Sequence, residues 1–425
     1  MNLKRSFVLF MSLLFLNLLS AEGKVLAIED AVRLAKENNI SVKKAENNLD
    51  SLAVQNKYSW NSVSPAAKLN GNFEDDIEND STAFCLSGAV NLSLKTNLYS
   101  EIKGAKLNYE KGLLTYSEAV RQIELSVRKK FYNLIYQKEN LVLQNRSLET
   151  SKTQYLNNEE KFKNGKISEL DAFTSRVNYE SRKPVVESAE INFQNDLASF
   201  KQLLGIPQET EIALDGSLDD FLNLKEISFG LLPKVDEPAP DVKSAEYDVE
   251  IAKNSLLNLR FSAYAPVITG SYSYGKSKKS MQDDWMTTNK LSVGVSVPLD
   301  GILPWSSSAV DIKKQKNALD TAEKVLEDAK TTVAVQTESY IRKINQAVKQ
   351  LDSLKSTEKL AEQTYKMTLA AYNYGKTDFL SLQNANDSVL SAGVNLKSQA
   401  YTLISTILDL ESVLGLEFGT LETKK

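Results

Sequence analysis

The sequence predicts a mainly α protein with a small β part: long antiparallel coiled-coil helical hairpins, arranged as two tandem repeats. Three observations carry this. The first is an unbroken series of apolar residues seven apart: Leu113, Val120, Val127, Leu134, Leu141, Leu148, Tyr155 and Phe162. Tyr109, Tyr116 and Ile123 fill the alternate positions, so the stripe has the 3.5-residue period of a left-handed coiled coil. The second is a shift of 210 residues that lays Gly165-Lys166 on Gly375-Lys376 and Leu204-Gly205 on Leu414-Gly415. A register kept over that distance marks an internal repeat. The third is a set of four short stretches with strict two-residue alternation, set among the helices.

Residues 1–23 read as a signal peptide. Lys4-Arg5 precede an apolar run from Phe7 to Leu19, and Ala21-Glu22-Gly23 offers cleavage after Gly23, with Ser20 or Ala21 as other last residues. The chain is therefore expected to be exported. A first helix is predicted from Ile28 to about Trp60, with Glu29-Asp30 in its opening turn and Leu34, Val42, Ala45, Leu49 and Leu52 on its apolar side. Ser64-Pro65 ends it.

A β-hairpin is expected over 65–95. Its second strand alternates Phe84, Leu86, Gly88, Val90, Leu92 and Leu94 with Cys85, Ser87, Ala89, Asn91, Ser93 and Lys95. Its partner lies at about 66–73, joined by the acidic stretch Glu74–Asp80. The second half repeats this over 266–299. Ile268, Gly270, Tyr272 and Tyr274 alternate with small residues, and Leu291, Val293, Val295, Val297 and Leu299 do the same, across a loop at about 275–289. The strands have the length and pattern of transmembrane β-strands, or of a small soluble sheet capping the helices. Four strands cannot close a barrel alone. If they cross a bilayer, several chains must pool them. Phe84, Leu86, Val90, Leu92, Val293, Val295 and Val297 are then the lipid-facing side chains.

The first long helix is expected from about Ser100 to Lys163, with Gly104 and Gly112 its only glycines. At 1.5 Å per residue it measures roughly 95 Å, and its stripe requires a partner helix along its length. Lys163-Asn164-Gly165-Lys166 is a turn, and Ser168 with Asp171 starts the return helix to Leu204-Gly205. Pro184 lies inside that helix, where proline usually kinks. Residues 206–240, with Pro207, Gly216, Gly230, Pro233, Pro238 and Pro240, form a crossover with short elements. The second repeat spans 241–415 and ends in a short polar tail, 416–425.

Composition excludes several classes. There is no His, which removes Ser-His-Asp and Cys-His catalysis and His-ligated metals. The single Cys85 forms no internal disulfide or thiolate cluster. With 51 basic against 55 acidic residues there is no basic stripe for nucleic acid. No enzyme, cofactor or metal site is expected.

The order helix, strands, long helix, Gly tip, long helix, Leu-Gly, given twice, resembles the TolC family of outer-membrane efflux proteins. Ile28-Glu29-Asp30-Ala31-Val32-Arg33-Leu34-Ala35-Lys36-Glu37-Asn38-Asn39 is similar to the family's N-terminal segment. Val295-Ser296-Val297-Pro298-Leu299 is similar to its strand ending in Pro, Tyr372-Asn373-Tyr374-Gly375-Lys376-Thr377 to its helix-tip turn, and Leu414-Gly415 to its close. Lys95 departs, standing where the family often has Pro. The resemblance implies a homotrimer whose chains each give four strands to one barrel in outer-membrane lipid, continued by a hollow helical barrel in the periplasm. It implies docking of a periplasmic adaptor (membrane fusion) protein at Gly165, Lys166, Ile167, Gly375, Lys376 and Thr377, and an inner-membrane pump reached through that adaptor. The family narrows its periplasmic entrance with acidic side chains one to two turns past the second tip. Those positions are Ser381 and Asn384, with Asp378 and Asp387 nearby. The implied function is a passive exit duct for a tripartite efflux pump or a type I secretion system. The competing reading is a periplasmic structural or adaptor-like coiled coil.

Overall fold

The computed structural model describes residues 24–76, 81–222, 238–278 and 284–421. The signal sequence, the tip of the acidic 74–80 connection, the middle of the 275–289 loop, residues 223–237 of the crossover and the last four residues lie outside it. In chain order the elements are β1 (Lys24–Leu26), α1 (Ile28–Asn38), α2 (Ile40–Lys57), β2 (Ala66–Asp76), β3 (Ser81–Lys95), α3 (Leu98–Lys163) and α4 (Glu169–Leu204). There follow β4 (Ile212–Leu214), α5 (Pro240–Tyr264), β5 (Val267–Lys278), β6 (Met286–Ser296), α6 (Ser307–Asn373) and α7 (Phe379–Leu414). The chain divides into two compact units. One takes Met1–Lys43, Glu118–Glu237 and Ala334–Lys425; the other takes Lys44–Ser117 and Pro238–Val333.

The first unit holds a dense core midway along the long helices. Val127, Phe131, Leu134 and Ile135 of α3 are fully buried, at the helical spacing 4, 3, 1. They join Leu26, Phe200, Leu204 and Leu214, and Ile344, Leu403, Ile404, Ile407 and Leu408. A uniform seam was expected. Instead Val127 and Leu134 are the fully buried members of the series, and Leu113 and Phe162 are exposed. Burial concentrates where several elements converge on α3 at once, beyond the one partner that a coiled coil supplies.

Two further corrections concern this unit. The expected first helix is broken at Asn39, whose backbone is extended (φ −64°, ψ 131°). The Asn39 amide donates to the Leu203 carbonyl (2.7 Å), and its oxygen accepts from the Ser41 backbone N–H (2.7 Å). A buried Asn that bonds backbone on both sides competes with the helix ladder and stops it. The β material before residue 65 is also more than expected, because β1 pairs in parallel with β4, Leu26 opposite Leu214. Three-residue strands carry too little alternation to be read from sequence.

The four helix ends that frame the hairpins share one closure. Lys166 N–H donates to the Lys161 carbonyl and Gly165 N–H to Phe162; the same bonds recur at Lys376/Ala371 and Gly375/Tyr372, at Ile206/Lys201 and Gly205/Gln202, and at Leu416/Glu411 and Gly415/Ser412. The glycines sit at φ 66°, 69°, 69° and 71° for Gly165, Gly205, Gly375 and Gly415. This is the Schellman pattern, with glycine where a side chain would be strained. The repeat is thus exact to the residue at these ends. α4 runs unbroken through Pro184.

The second unit contains one antiparallel sheet in the order β2-β3-β5-β6, so the hairpins of the two repeats join edge to edge through β3 and β5. The strands are longer than expected at the loop end: β2 continues to Asp76, β3 begins at Ser81, and β5 and β6 reach Lys278 and Met286. Beside the sheet, α3 lies against α2 and α5. A Cβ on Gly112 would come within 2.5 Å of Leu52, and one on Gly104 within 2.9 Å of the Asn254 amide, so both glycines of α3 mark close approach. Asn254 donates to the Ser100 carbonyl (2.8 Å), and Asn97 to Asn258 (2.8 Å).

Candidate functional site: the sheet faces and the helix tips

Residues paired across antiparallel strands point to the same face, so the register fixes the composition of each face. Starting from the loop end, the rows are Phe73-Phe84-Lys278, Gly71-Leu86-Lys276-Thr287, Leu69-Gly88-Tyr274-Asn289, Ala67-Val90-Tyr272-Leu291, Leu92-Gly270-Val293 and Leu94-Ile268-Val295. Six of the seven expected lipid-facing residues fall here, on one side. Val297 lies one residue beyond β6 and is exposed. The other side reads Lys68, Asn70, Asn72, Ser87, Ala89, Asn91, Ser93, Thr269, Ser271, Ser273, Lys290, Ser292 and Gly294.

The apolar side is uncovered. Leu69 is 79% exposed, Leu291 75% and Val293 76%. Monomeric proteins in water rarely expose an apolar face of this extent. From Phe84 to Leu94 it runs roughly 33 Å along the strand, or about 25 Å once tilted by 35–45°, which matches the apolar band of an outer-membrane barrel. Its loop end carries an aromatic row in which Trp285 meets Phe84 edge-on, with ring centroids 5.6 Å apart. Trp60, Tyr264 and Trp305, near the other strand ends, are exposed too. β2 and β6 pair on one edge each, and their other edges are open.

The tips belong to the first unit. Lys166 and Lys376 are exposed, Ile167 and Thr377 half-buried, and nothing lies within 4 Å of a Cβ built on Gly165 or Gly375. Below the first turn, Ser168 caps α4: its hydroxyl accepts from Asp171 N–H (3.1 Å) and donates to the Asp171 carboxylate (2.7 Å). Below the second, Asp378 caps α7, accepting from Ser381 N–H at 2.7 Å. Bonds from the Ser381 backbone and side chain hold the Asp378 carboxyl below its ordinary value. Two of the four entrance residues are therefore one helix cap. Asn384 is exposed.

Asp387 is ion-paired with Arg182 of α4. The same guanidinium donates to Ser147 (2.8 Å) and Asn178 (3.2 Å). Nearer the tip, Tyr372 donates to Asn158 (2.7 Å) with the Lys161 ammonium 4.6 Å over its ring, and Tyr155 stacks on Tyr179 at 5.8 Å. Arg182, Asn158 and Ser147 were missed from sequence. A signal existed for part of this: Ser147 and Arg182, and Ser151 and Asn178, are equidistant from the Asn164–Gly165 turn, as facing residues of a hairpin must be. The partnership with α7 had no such signal.

The profile of the outer membrane efflux protein family matches residues 231–416. Over 306 residues the chain is 20% identical to the outer membrane protein TolC of Vibrio cholerae, covering 71% of this chain and 69% of that protein. Solved structures with the same fold include the CmeC outer membrane channel of Campylobacter jejuni (TM-score 0.77, 18% identity, 91% of this chain and 85% of that one). The outer membrane protein VceC of Vibrio cholerae gives 0.74 at 13% identity, over 92% and 96% of the two chains. The MtrE outer membrane channel of Neisseria gonorrhoeae gives 0.70 at 18% identity, over 92% and 89%. The family profile covers the second repeat, while the fold likeness spans both.

Proposed function

We propose that this protein is an outer-membrane efflux channel, the passive exit duct of a tripartite assembly, formed by three copies of the chain with the sheet in the outer membrane and the helices in the periplasm. The observation that carries it is the sheet with one apolar face, one small and polar face, and two open edges. Lipid supplies no hydrogen bonds, so those edges must be paired. An even number of strands leaves β2 and β6 running in opposite senses. β6 of one copy then pairs antiparallel with β2 of the next, and three copies close twelve strands with no edge left. The apolar face meets lipid through Phe84, Leu86, Val90, Leu92, Val293, Val295 and Val297, and the polar face lines the pore.

In this reading the tips Gly165, Lys166, Ile167, Gly375, Lys376 and Thr377 meet a periplasmic adaptor, which joins the duct to an inner-membrane pump. Asp378, Ser381, Asn384 and Asp387 lie at the periplasmic entrance. The duct carries out no chemistry and needs no cofactor; energy comes from the pump, which also selects small molecules or proteins as cargo. The test is conductance of the detergent-extracted mature protein in a planar bilayer. Discrete, long-lived openings are expected, and a protein that stays soluble without detergent and never conducts would overturn the reading.

A further inference from the structure

The outward face of the sheet is not uniform. At the loop end its first-hairpin half is wholly apolar: Phe73 and Phe84, then Gly71 and Leu86, then Leu69 and Gly88. In the same three rows the second hairpin presents Lys278, then Lys276 and Thr287, then Tyr274 and Asn289. Lys276 is exposed and Lys278 partly so. Lys278 lies 5.5 Å over the ring of Trp285, and neither lysine has a carboxylate partner among the described residues. Asp75, the remaining charged residue of this face among the strands, sits one row farther toward the loop and is already engaged.

A lysine on a lipid face is tolerated near the interface because its long stem carries the ammonium outward to the headgroups. Lys276 stands one row inside the aromatic row, where its ammonium can reach that level only by extending past Lys278. The two ammoniums then converge at one height, beside a hydroxyl, an amide and the indole edge of an interfacial Trp. Two adjacent cations with neutral donors complement a phosphate, and the only anions at this height of a bilayer are lipid headgroups.

We propose that Lys276, Lys278, Thr287 and Asn289, beside Trp285, form a binding site for the phosphate-bearing headgroup of an outer-leaflet lipid. The proposal rests on the reading that the sheet spans the outer membrane. Its occupant is a lipid, because the apolar rows that continue below it, Tyr272-Leu291, Val293 and Ile268-Val295, offer a track for acyl chains.

The test uses the mature protein in phosphatidylcholine nanodiscs containing a few per cent of diphosphoryl lipid A, with co-retained lipid A counted by native mass spectrometry. The wild type is compared with Lys276→Thr/Lys278→Thr, and with Lys276→Arg/Lys278→Arg, which keeps the charge. Conductance of each is recorded in phosphatidylcholine alone. Retention by the wild type and the Arg variant, at least a tenfold loss in the Thr variant, and conductance by all three are expected. Equal retention by the Thr variant, or equal retention of fully dephosphorylated lipid A by the wild type, overturns the site while leaving the channel intact. A wild type that neither inserts nor conducts overturns the membrane reading itself.

Discussion

Glu411 is fully buried, an uncommon place for a carboxylate. Its carboxylate accepts from the backbone N–H of Gly419 (3.0 Å) and Leu421 (2.7 Å). Arg121 donates to the carbonyls of Glu411 and Leu416, and its guanidinium lies 4.7 Å over Phe418, with Arg128 at 5.7 Å. The residues after Gly415 were expected to be a short polar tail. Up to Leu421 they are instead stapled down, and Leu421 is buried. Burial raises the Glu411 carboxyl above its ordinary value, against the Leu421 and Gly419 hydrogen bonds and the two arginines, which lower it. The folded state therefore holds the proton more tightly than the unfolded one. That contribution is full below the ordinary carboxylate pKa and is lost as pH rises through the raised one. Glu411→Gln should flatten the decline in thermal midpoint as pH rises above the ordinary carboxylate range, measured by circular dichroism in detergent; an unchanged slope would show that Glu411 does not set it. At the tips, Gly375 has φ 69° and open space around it, so Gly375→Glu costs only the backbone strain of a left-handed residue, about 1–2 kcal/mol. The variant should assemble normally and abolish efflux of a fluorescent dye from cells. Normal efflux would count against docking at this tip.

The sheet shows most clearly how an element's periodicity becomes a function. Alternation in each strand was legible in the sequence, but alternation alone does not say that four strands agree on which side is apolar. The register does: Phe73 faces Phe84, Val90 faces Tyr272, and Tyr272 faces Leu291, so all the large side chains lie together. A charge near the middle of that face should cost about 2–4 kcal/mol, whereas one on the opposite face meets water. Val90→Lys should sharply reduce heat-resistant protein recovered from the outer membrane, and Asn91→Lys, one residue on, should not. Equal recovery would mean that Val90 does not face lipid. The helical hairpins were also legible, since their limits are glycine turns with fixed chemistry. The breaks were not. Asn39 stops a helix through a bond to Leu203, 164 residues away, and no local pattern announces it.

For the whole molecule, the single chain leaves much unfinished. Half the heptad series on α3 is only part-buried, and the apolar face and two strand edges are bare. In the function proposed above, three copies and lipid cover these surfaces together. Light scattering of the detergent-solubilised mature protein should return three times the mature chain mass after subtraction of detergent. A stable monomer would leave the edges of β2 and β6 unexplained.

By itself the sequence determined what depends on neighbours along the chain. The 210-residue repeat, the glycine tips, the helix caps at Ser168 and the alternating strands all follow from local stereochemistry, which composition and spacing record. Tertiary structure decided what depends on residues distant in sequence. It joined the two hairpins through β3 and β5, drew Asp387 to Arg182, placed the core at Val127–Ile135, and fastened the tail to Glu411. It also set Lys278 over the ring of Trp285, on a face where its own strand's alternation would call only for apolar residues. Contacts of this kind are set by which surfaces remain to be covered once the local elements have formed, and no short window of sequence contains that information.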